Sequence, residues 1–245
     1  MDTYGIIGFP LGHSFSKRYF TEKFRQENID AEYLNFEIRD ISEIKMLLSK
    51  HTYLKGFNVT IPYKQSILPF LDDISEEARK IGAVNCVKVG WQDSRPRLIG
   101  YNTDVYGFKN ALLRFIPEGI TQTLILGNGG AAKAVRYVLH ELNIHTLTVS
   151  RTPRTANEIS YPEIAPLLPE YRLIVNTTPL GTWPDIQNSP ALPYSLLTPR
   201  HYLFDLVYNP ENTSFMQQGA DYGAHTCNGL NMLISQAEKG WEIWK

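Results

Sequence analysis

The sequence predicts a two-domain α/β protein, and three observations carry that prediction. The chain of 245 residues is long enough to hold two modest domains. Segments with strand and helix periodicity alternate over residues 1–64, and this βαβα order favours a mainly parallel sheet. A second βαβ pattern, with a glycine-rich loop, occupies residues 121–151. We place the domains at residues 1–102 and 103–227, and a helix over residues 228–245 follows them.

Composition and charge limit the classes of partner. Hydrophobic residues make up 43% of the chain and charged residues 20%, which is typical of a folded globular protein. The formal net charge is -1 and the basic residues are dispersed, so nucleic acid binding has no electrostatic support. We find no apolar run of membrane-spanning length and expect a cytoplasmic monomer or homodimer that binds small molecules and no membrane. Cys86 and Cys227 lack metal-ligand spacing, so we expect packed thiols and no metal.

The first predicted domain begins with a strand over residues 3–9 and a helix that opens at residues 13–16. Aromatic residues recur at three-to-four spacing through this helix, and residues 31–38 then alternate as a second strand. Ser14 and Ser16 stand at the helix start. They act either as N-caps or, with the free backbone donors there, as a site for a carboxylate ligand.

A second helix is predicted over residues 41–48, and the third strand lies in the stretch LKGFNVTIPYK, residues 54–64. Apolar residues alternate along this strand until Pro62, which withholds a backbone donor and ends it. Lys64 therefore follows a strand end, where side chains of open α/β sheets point into a crevice and an ammonium can have its pKa lowered. The alternative is that Lys64 is an ordinary surface lysine.

Two short helices over residues 65–71 and 75–81 come next, followed by a hairpin of residues 82–89 and 97–101 around a polar turn. Asp104 then precedes a helix that we predict from residue 105 to 115. It either caps that helix or supplies a carboxylate that positions Lys64 and biases its protonation for proton transfer.

The most recognisable unit is a strand over residues 123–127, a loop, a helix over residues 131–142 and a strand over residues 146–150. The sequence GNGGAA closes the first strand and opens the helix, which is typical of a Rossmann-like unit that seats a pyrophosphate at the helix N-terminus. Ala132 stands at the position of the last glycine in the usual GxGxxG pattern.

The residues after the second strand of this unit indicate which dinucleotide binds. An NAD protein usually carries an acidic residue there, whereas this chain has Ser150, Arg151, Thr152 and Arg154. Cationic and hydroxyl groups suit a 2′-phosphate, so the pattern favours NADP. The alternative is that the arginines are solvated loop charges.

The rest of the chain continues the α/β order. Prolines limit residues 161–171 to one or two helical turns, and residues 172–176 form a strand. The loop TTPLG, residues 177–181, follows its carboxyl end, where a nucleotide would lie. The remaining predictions are a strand at residues 201–207 ending at Tyr208, a helix at 213–222, a short edge strand at 225–227 and a final helix at 228–244.

Seven motifs in one order resemble the NADP-dependent shikimate dehydrogenases, enzymes of chorismate and aromatic amino acid biosynthesis. They are GHSFS (12–16), NVTIPYK (58–64), GAVN (82–85), YNTD (101–104), GNGGA (127–131), SRT (150–152) and GLNMLISQA (229–237). The resemblance implies a substrate domain, a Rossmann-like NADP domain and a last helix that packs on the substrate domain.

The resemblance also implies residue roles. Lys64 and Asp104 would form the catalytic pair, with Lys64 exchanging a proton with the 3-hydroxyl of shikimate as hydride passes between C3 and the nicotinamide of NADP. The implied contacts to shikimate or 3-dehydroshikimate are Ser14, Ser16, Thr60, Asn85, Asp104, Tyr208 and Gln236. The implied cofactor contacts are Gly127, Asn128, Gly129, Gly130, Ala131, Ser150, Arg151, Thr152, Arg154, Thr177, Leu206, Gly229 and Met232.

The chain departs from the family pattern at several places. Asn231 replaces a glycine near the nicotinamide end, Arg154 comes one residue early after Pro153, and the segment from 152 to 172 is short. Two further activities stay open: a paralogue acting on quinate or an aminated shikimate analogue, and a non-catalytic NADP-binding sensor. Intact Lys64 and Asp104 argue against the sensor.

Overall fold

The computed structural model describes residues 1–12, 14–93 and 95–245; His13 of the GHSFS motif and Ser94 of the predicted hairpin turn lie outside the described residues. The chain forms two compact units, Met1–Thr103 with Ala237–Lys245, and Asp104–Gln236. The division thus falls after Thr103, and the last helix contributes to both units.

The first unit is built on a mixed sheet. Its strands are β1 (Asp2–Gly8), β2 (Ala31–Glu37), β3 (Leu54–Val59), β4 (Asp73–Ile74), β5 (Cys86–Gln92) and β6 (Arg95–Tyr101). They lie in the order β2-β1-β3-β5-β6-β4. The pairs β1–β2, β1–β3 and β4–β6 are parallel, whereas β5 runs antiparallel to β3 and to β6, as the predicted hairpin requires.

Besides the end of the last helix, the helices in the described part of this unit are α1 (Phe15–Gln26), α2 (Ile44–Lys50) and α3 (Glu76–Ile81). The helix predicted over residues 41–48 starts as a 3-10 turn, and the one predicted over residues 65–71 is only the 3-10 turn Leu68–Phe70. Pro69 stands within that turn and withholds a donor, which explains why no α-helix forms there. The two-residue strand β4 was not predicted, because it is too short to show periodicity.

The end of the chain completes the core of the first unit. Trp244 is buried, stacks on Tyr4 with ring centroids 5.3 Å apart and donates from Nε1 to the carbonyl oxygen of Val87 at 3.0 Å. Its indole lies directly over Gly56, where a Cβ would stand 2.2 Å from the ring. A glycine in β3 therefore makes room for the last helix.

The second unit has a parallel sheet. Its strands are β7 (Gln122–Leu126), β8 (His145–Val149), β9 (Glu158–Ile159), β10 (Leu173–Asn176), β11 (Tyr202–Asp205) and β12 (His225–Cys227). The order β12-β11-β10-β7-β8-β9 is the 3-2-1-4-5-6 arrangement of a Rossmann sheet, read from the other edge. The order of the strands reverses between β7 and β10, because successive strands are added on one side of β7 and then on the other. A ligand site is expected at the carboxyl ends of these two strands.

The helices of the second unit are α4 (Asp104–Phe115), α5 (Gly130–Glu141), α6 (Ser214–Asp221) and α7 (Leu230–Trp244), of which the last continues into the first unit. The fold class is as predicted: two α/β units, the first mainly parallel and the second Rossmann-like. Strand β9 was not predicted. None of the helices in the described part of the chain combines the length and apolar character that a membrane span requires.

Candidate functional site

The start of α1 carries the two serines of the GHSFS motif. Ser14 is the N-cap, and its Oγ accepts a hydrogen bond from the backbone N of Lys17 at 3.3 Å. Ser16 contacts the buried Tyr33, whose phenol donates to Asn58 Oδ1 at 2.6 Å. Burial raises the pKa of Tyr33 well above its ordinary value, and the hydrogen bond with Ser16 opposes that rise. Ser14 therefore caps its helix; a carboxylate contact for either serine stays a prediction.

Lys64 lies in a turn that the ends of β1 and β3 hold in place. Thr60 donates its backbone N–H to Ile7, and Tyr63 donates its backbone N–H back to Thr60 at 2.8 Å. The Tyr63 hydroxyl donates to the carbonyl of Ile38 at 2.6 Å. The half-buried side chain of Lys64 is thus carried by an anchored segment just past β3, as the alternation and Pro62 predict.

A hydrogen-bonded path connects Lys64 to the YNTD motif within the first unit. The Lys64 carbonyl accepts from Val84 N at 2.8 Å, and the next residue, Asn85, accepts at Oδ1 from Thr103 N at 2.7 Å. Asn85 Nδ2 also donates to Thr103 Oγ1 at 3.1 Å. Asn85 and Thr103 are both buried, so this path is shielded from water and Asp104 follows it by one peptide bond.

Asp104 is the first residue of α4 and is buried, at 3% exposure. A carboxylate is favoured there by the helix dipole, so the capping interpretation and a second role are compatible. Further along α4, Gly107 allows α7 to approach closely: a Cβ at Gly107 would lie 2.4 Å from the carbonyl of Met232 and 3.0 Å from Cβ of Gln236. Tyr208 is half-buried just after β11.

A cavity of about 840 Å³ lies in the second unit at the carboxyl ends of β7, β8 and β10. The predicted cofactor residues that line it are Gly127, Asn128, Gly129, Ser150, Arg151, Thr152, Arg154 and Thr177. Gly130 and Ala131 form the first turn of α5 beside it. Leu206 and Gly229 lie elsewhere in the unit and touch each other, since a Cβ at Gly229 would stand 2.2 Å from the Leu206 carbonyl oxygen. Met232 is buried.

The glycine-rich loop leaves the cavity open to a ligand. Gly127 has a φ of +97°, which L side chains rarely adopt, and its Cβ position would crowd Thr178 at 2.9 Å. Gly129 is the N-cap of α5 and provides no capping side chain; at Gly129 and Gly130, a Cβ would meet no described atom within 4 Å. Backbone N–H groups at the N-terminus of this helix are therefore accessible to an anion, which fits the pyrophosphate of a dinucleotide.

The rim of the cavity carries charges of both signs. Arg151 and Arg154 are exposed cations, but the half-buried Glu158 of β9 also lines the cavity. Its carboxylate accepts from Asn128 Nδ2 at 3.0 Å and from the backbone N of Arg154 at 2.9 Å. Ser150 Oγ lies 3.5 Å from the same carboxylate, at the long limit for a hydrogen bond.

The loop predicted after β10 also lines the cavity, through Thr178, Pro179 and Leu180. Sequence reasoning did not find five other lining residues, which are Val149, Glu158, Tyr161, Ser189 and Ala191. Glu158 lines the cavity because β9 pairs parallel with β8, which places Glu158 opposite Thr148. A two-residue strand has no periodic signal; the available hint was an acidic residue soon after the second strand of the βαβ unit.

A Rossmann-ordered sheet with a glycine-lined, partly cationic cavity at its switch point defines a dinucleotide-binding α/β protein. Residues 6–87 match the family model for the shikimate dehydrogenase substrate binding domain. The NADP(+)-dependent shikimate dehydrogenase of Carboxydothermus hydrogenoformans is 37% identical over 257 residues, covering 98% of this chain and 90% of that protein. The chain therefore belongs to the shikimate dehydrogenase family.

Solved structures agree with this assignment. Shikimate 5-dehydrogenase from Thermus thermophilus, in complex with NADP(H) and shikimate, has a TM-score of 0.87 and 31% identity, covering 100% of this chain and 94% of that chain. Quinate dehydrogenase from Corynebacterium glutamicum, in complex with NAD, also has a TM-score of 0.87, at 26% identity and covering 100% of this chain and 93% of that chain. Backbone similarity alone thus does not separate shikimate from quinate enzymes.

Proposed function

We propose that this chain is an NADP-dependent shikimate dehydrogenase. It catalyses the reversible reduction of 3-dehydroshikimate to shikimate, a step towards chorismate and the aromatic amino acids. Family membership, the Rossmann-ordered sheet and the seven motifs in one order support this function. The name of the Carboxydothermus hydrogenoformans relative and the ligands of the Thermus thermophilus enzyme support the choice of NADP and shikimate.

The second unit has the groups to hold NADP. The backbone N–H groups at Gly129 and Gly130 would hold the pyrophosphate, and Arg151 with Thr152 would hold the 2′-phosphate of the adenosine ribose. Leu206, Gly229 and Met232 are our proposed contacts at the nicotinamide end, and Asn231 is exposed in the first turn of α7. When bound, NADP supplies the chemistry of a hydride donor and acceptor.

Proton transfer is the part of the reaction that we assign to Lys64. During oxidation of shikimate the 3-hydroxyl loses its proton to Lys64, while the hydrogen on C3 leaves with its electron pair as hydride; reduction reverses both transfers. Asp104 is the proposed carboxylate partner that biases the protonation of Lys64. Ser14 and Ser16 would hold the substrate carboxylate, with Tyr208 nearby. The proposed contacts to the ring hydroxyls are Thr60, Asn85, Asp104 and Gln236.

One observation supports the assignment of the pair: hydrogen bonds join the backbone of Lys64 through Val84 and Asn85 to Thr103, the residue before Asp104. They tie the NVTIPYK and GAVN motifs to residues 101–103 inside the first unit. A protein that only sensed NADP would need the glycine-rich loop but not Lys64 and Asp104. The presence of both residues therefore favours a catalytic enzyme over a sensor.

The proposal is tested by initial rates with shikimate or quinate, each paired with NADP or NAD. We expect fast cofactor reduction with shikimate and NADP. Rates that favour quinate or NAD would instead identify a quinate-type paralogue. Absence of turnover in all four mixtures, with NADP binding retained, would identify a sensor.

The role of Lys64 has its own test. We expect Lys64→Ala to lower kcat by at least about a hundredfold, the size of a typical general acid/base contribution, with shikimate affinity much less affected. Lys55→Ala is the matched control, because Lys55 lies on the strand that leads to Lys64 but is exposed. A kcat for Lys64→Ala equal to that of the control would remove Lys64 from the mechanism.

A further inference from the structure

Glu158 accepts hydrogen bonds from groups beside Arg151 and Thr152, the residues to which we assign the 2′-phosphate. Its carboxylate accepts from the side chain of Asn128, from the backbone N of Arg154 and, at longer range, from Ser150. All three residues line the same cavity. The carboxylate of Glu158 thus lies where the sequence pattern predicts binding of the 2′-phosphate, which is also negatively charged.

The two arginines of the cavity do not neutralise this carboxylate. Across the described residues, neither Arg151 nor Arg154 forms an ion pair with Glu158. Arg136 of α5 donates to Thr148 Oγ1 at 3.2 Å, and Thr148 lies opposite Glu158 in the pairing of β8 with β9. Burial lowers the pKa of the Arg136 guanidinium, and attraction to Glu158 opposes that effect. Arg136 therefore attracts Glu158 at longer range, without an ion pair among the described residues.

We propose that Glu158 sets the preference between NADP and NAD by repelling the 2′-phosphate. This inference rests on the proposed function, since it assumes that the cavity binds the adenosine end of the dinucleotide. Repulsion between a carboxylate and a phosphate dianion weakens the binding of NADP. The 2′-hydroxyl of NAD carries no charge and can donate a hydrogen bond to a carboxylate. Arg151 and Glu158 thus act in opposite directions on the same phosphate.

The experiment uses two ligands that differ only in the 2′-phosphate: adenosine 2′,5′-bisphosphate and adenosine 5′-monophosphate. Their Kd values are measured by calorimetry on the full chain, so neither the nicotinamide nor catalysis enters the result. For Glu158→Gln we expect the Kd of the bisphosphate to fall about tenfold, with the monophosphate changed less than about twofold. The gain should shrink at high salt, because the charges are partly exposed.

Two further variants make the test specific. Glu170→Gln is the matched control, since it removes one negative charge from the same unit at an exposed residue outside the cavity lining. Glu158→Ala removes both the charge and the acceptor oxygens. The same Kd values are measured on this variant if Glu158→Gln does not fold. Thermal unfolding is recorded for each variant.

The outcomes separate this inference from the proposed function. Equal changes for the two ligands, or no change in either, mean that Glu158 only organises the loop, and the inference fails while NADP binding stands. A gain for Glu170→Gln as large as for Glu158→Gln also overturns it. If the unmodified protein binds neither nucleotide and shows no turnover with shikimate, the proposed function itself fails.

Discussion

Gly129→Ala should weaken nucleotide binding with only a small loss of fold stability. Gly129 has an extended backbone, with φ -84° and ψ -170°, that alanine adopts without strain, and its Cβ would meet no described atom within 4 Å. The loss of a glycine N-cap is then the main structural cost, about 1 kcal/mol of unfolding free energy or less. The added methyl group projects into open space beside the helix N-terminus, where we propose that the pyrophosphate binds.

The binding loss can be bounded. A charge-assisted hydrogen bond from a backbone N–H to phosphate contributes about 1.5–3 kcal/mol, so displacing the phosphate from one donor raises the Kd of NADP about tenfold to a hundredfold. Calorimetry with NADP and urea unfolding measure the two effects on the same preparation. A Kd of NADP that stays unchanged in a folded Gly129→Ala protein would refute the close approach of the backbone.

Gly127→Ala is the matched comparison, because the same change two residues earlier should lower the unfolding free energy much more. The φ of +97° at Gly127 costs alanine about 1–3 kcal/mol. The new Cβ would also stand 2.9 Å from Thr178 Cγ2, and Thr178 is held by a 2.7 Å hydrogen bond to Asn176. We therefore expect a loss of about 2–4 kcal/mol in unfolding free energy. A loss no larger than that of Gly129→Ala would contradict the argument.

Two other changes test the packing and electrostatics of the units. Gly56→Ala should displace Trp244 and lower the unfolding free energy by about 2–4 kcal/mol. Gly90→Ala is the control and should cost under about 0.5 kcal/mol, because its Cβ would come no closer than 3.9 Å to the Arg97 carbonyl oxygen. Equal losses for the two variants in urea unfolding would exclude the contact between Gly56 and Trp244. Asp205 is buried, and desolvation is the main reason why its pKa is raised to about 6 from 3.8. The folded protein therefore binds the proton more tightly, and ionisation of Asp205 lowers the unfolding free energy progressively from about pH 4 until the loss is complete above about pH 6. Asp205→Asn should therefore raise the unfolding free energy by at most about 3 kcal/mol at pH 8, and this gain should vanish as the pH falls towards 4. A gain that stays constant with pH would contradict the raised pKa of Asp205.

Asp205→Asn can keep two hydrogen bonds of the aspartate and reverse the third, so the main difference between the two proteins is charge. Asp205 accepts from Asn176 Nδ2 and Val207 N at one oxygen and from Thr213 Oγ1 at the other. An amide oxygen can accept the first two, and an amide nitrogen can donate to the Thr213 hydroxyl in place of the third.

The sequence by itself determined the fold class and most of the elements of both units. Periodicity of two and of three to four placed the main strands and helices, because the side chains that face a core must recur with the period of the backbone. Glycine chemistry located the nucleotide loop, and Pro62 located the strand end before Lys64. These signals are local, so a single sequence contains them.

Only the tertiary structure decided which residues share the cavity and what charge they bring to it. Glu158 faces Asn128, thirty positions away, because β9 pairs with β8 in one register, and a two-residue strand contains no pattern that encodes that register. The same holds for Gly56 and Trp244, whose contact depends on how the last helix packs on the first sheet. Long-range pairing is set by the burial of whole surfaces, and no short stretch of sequence records it.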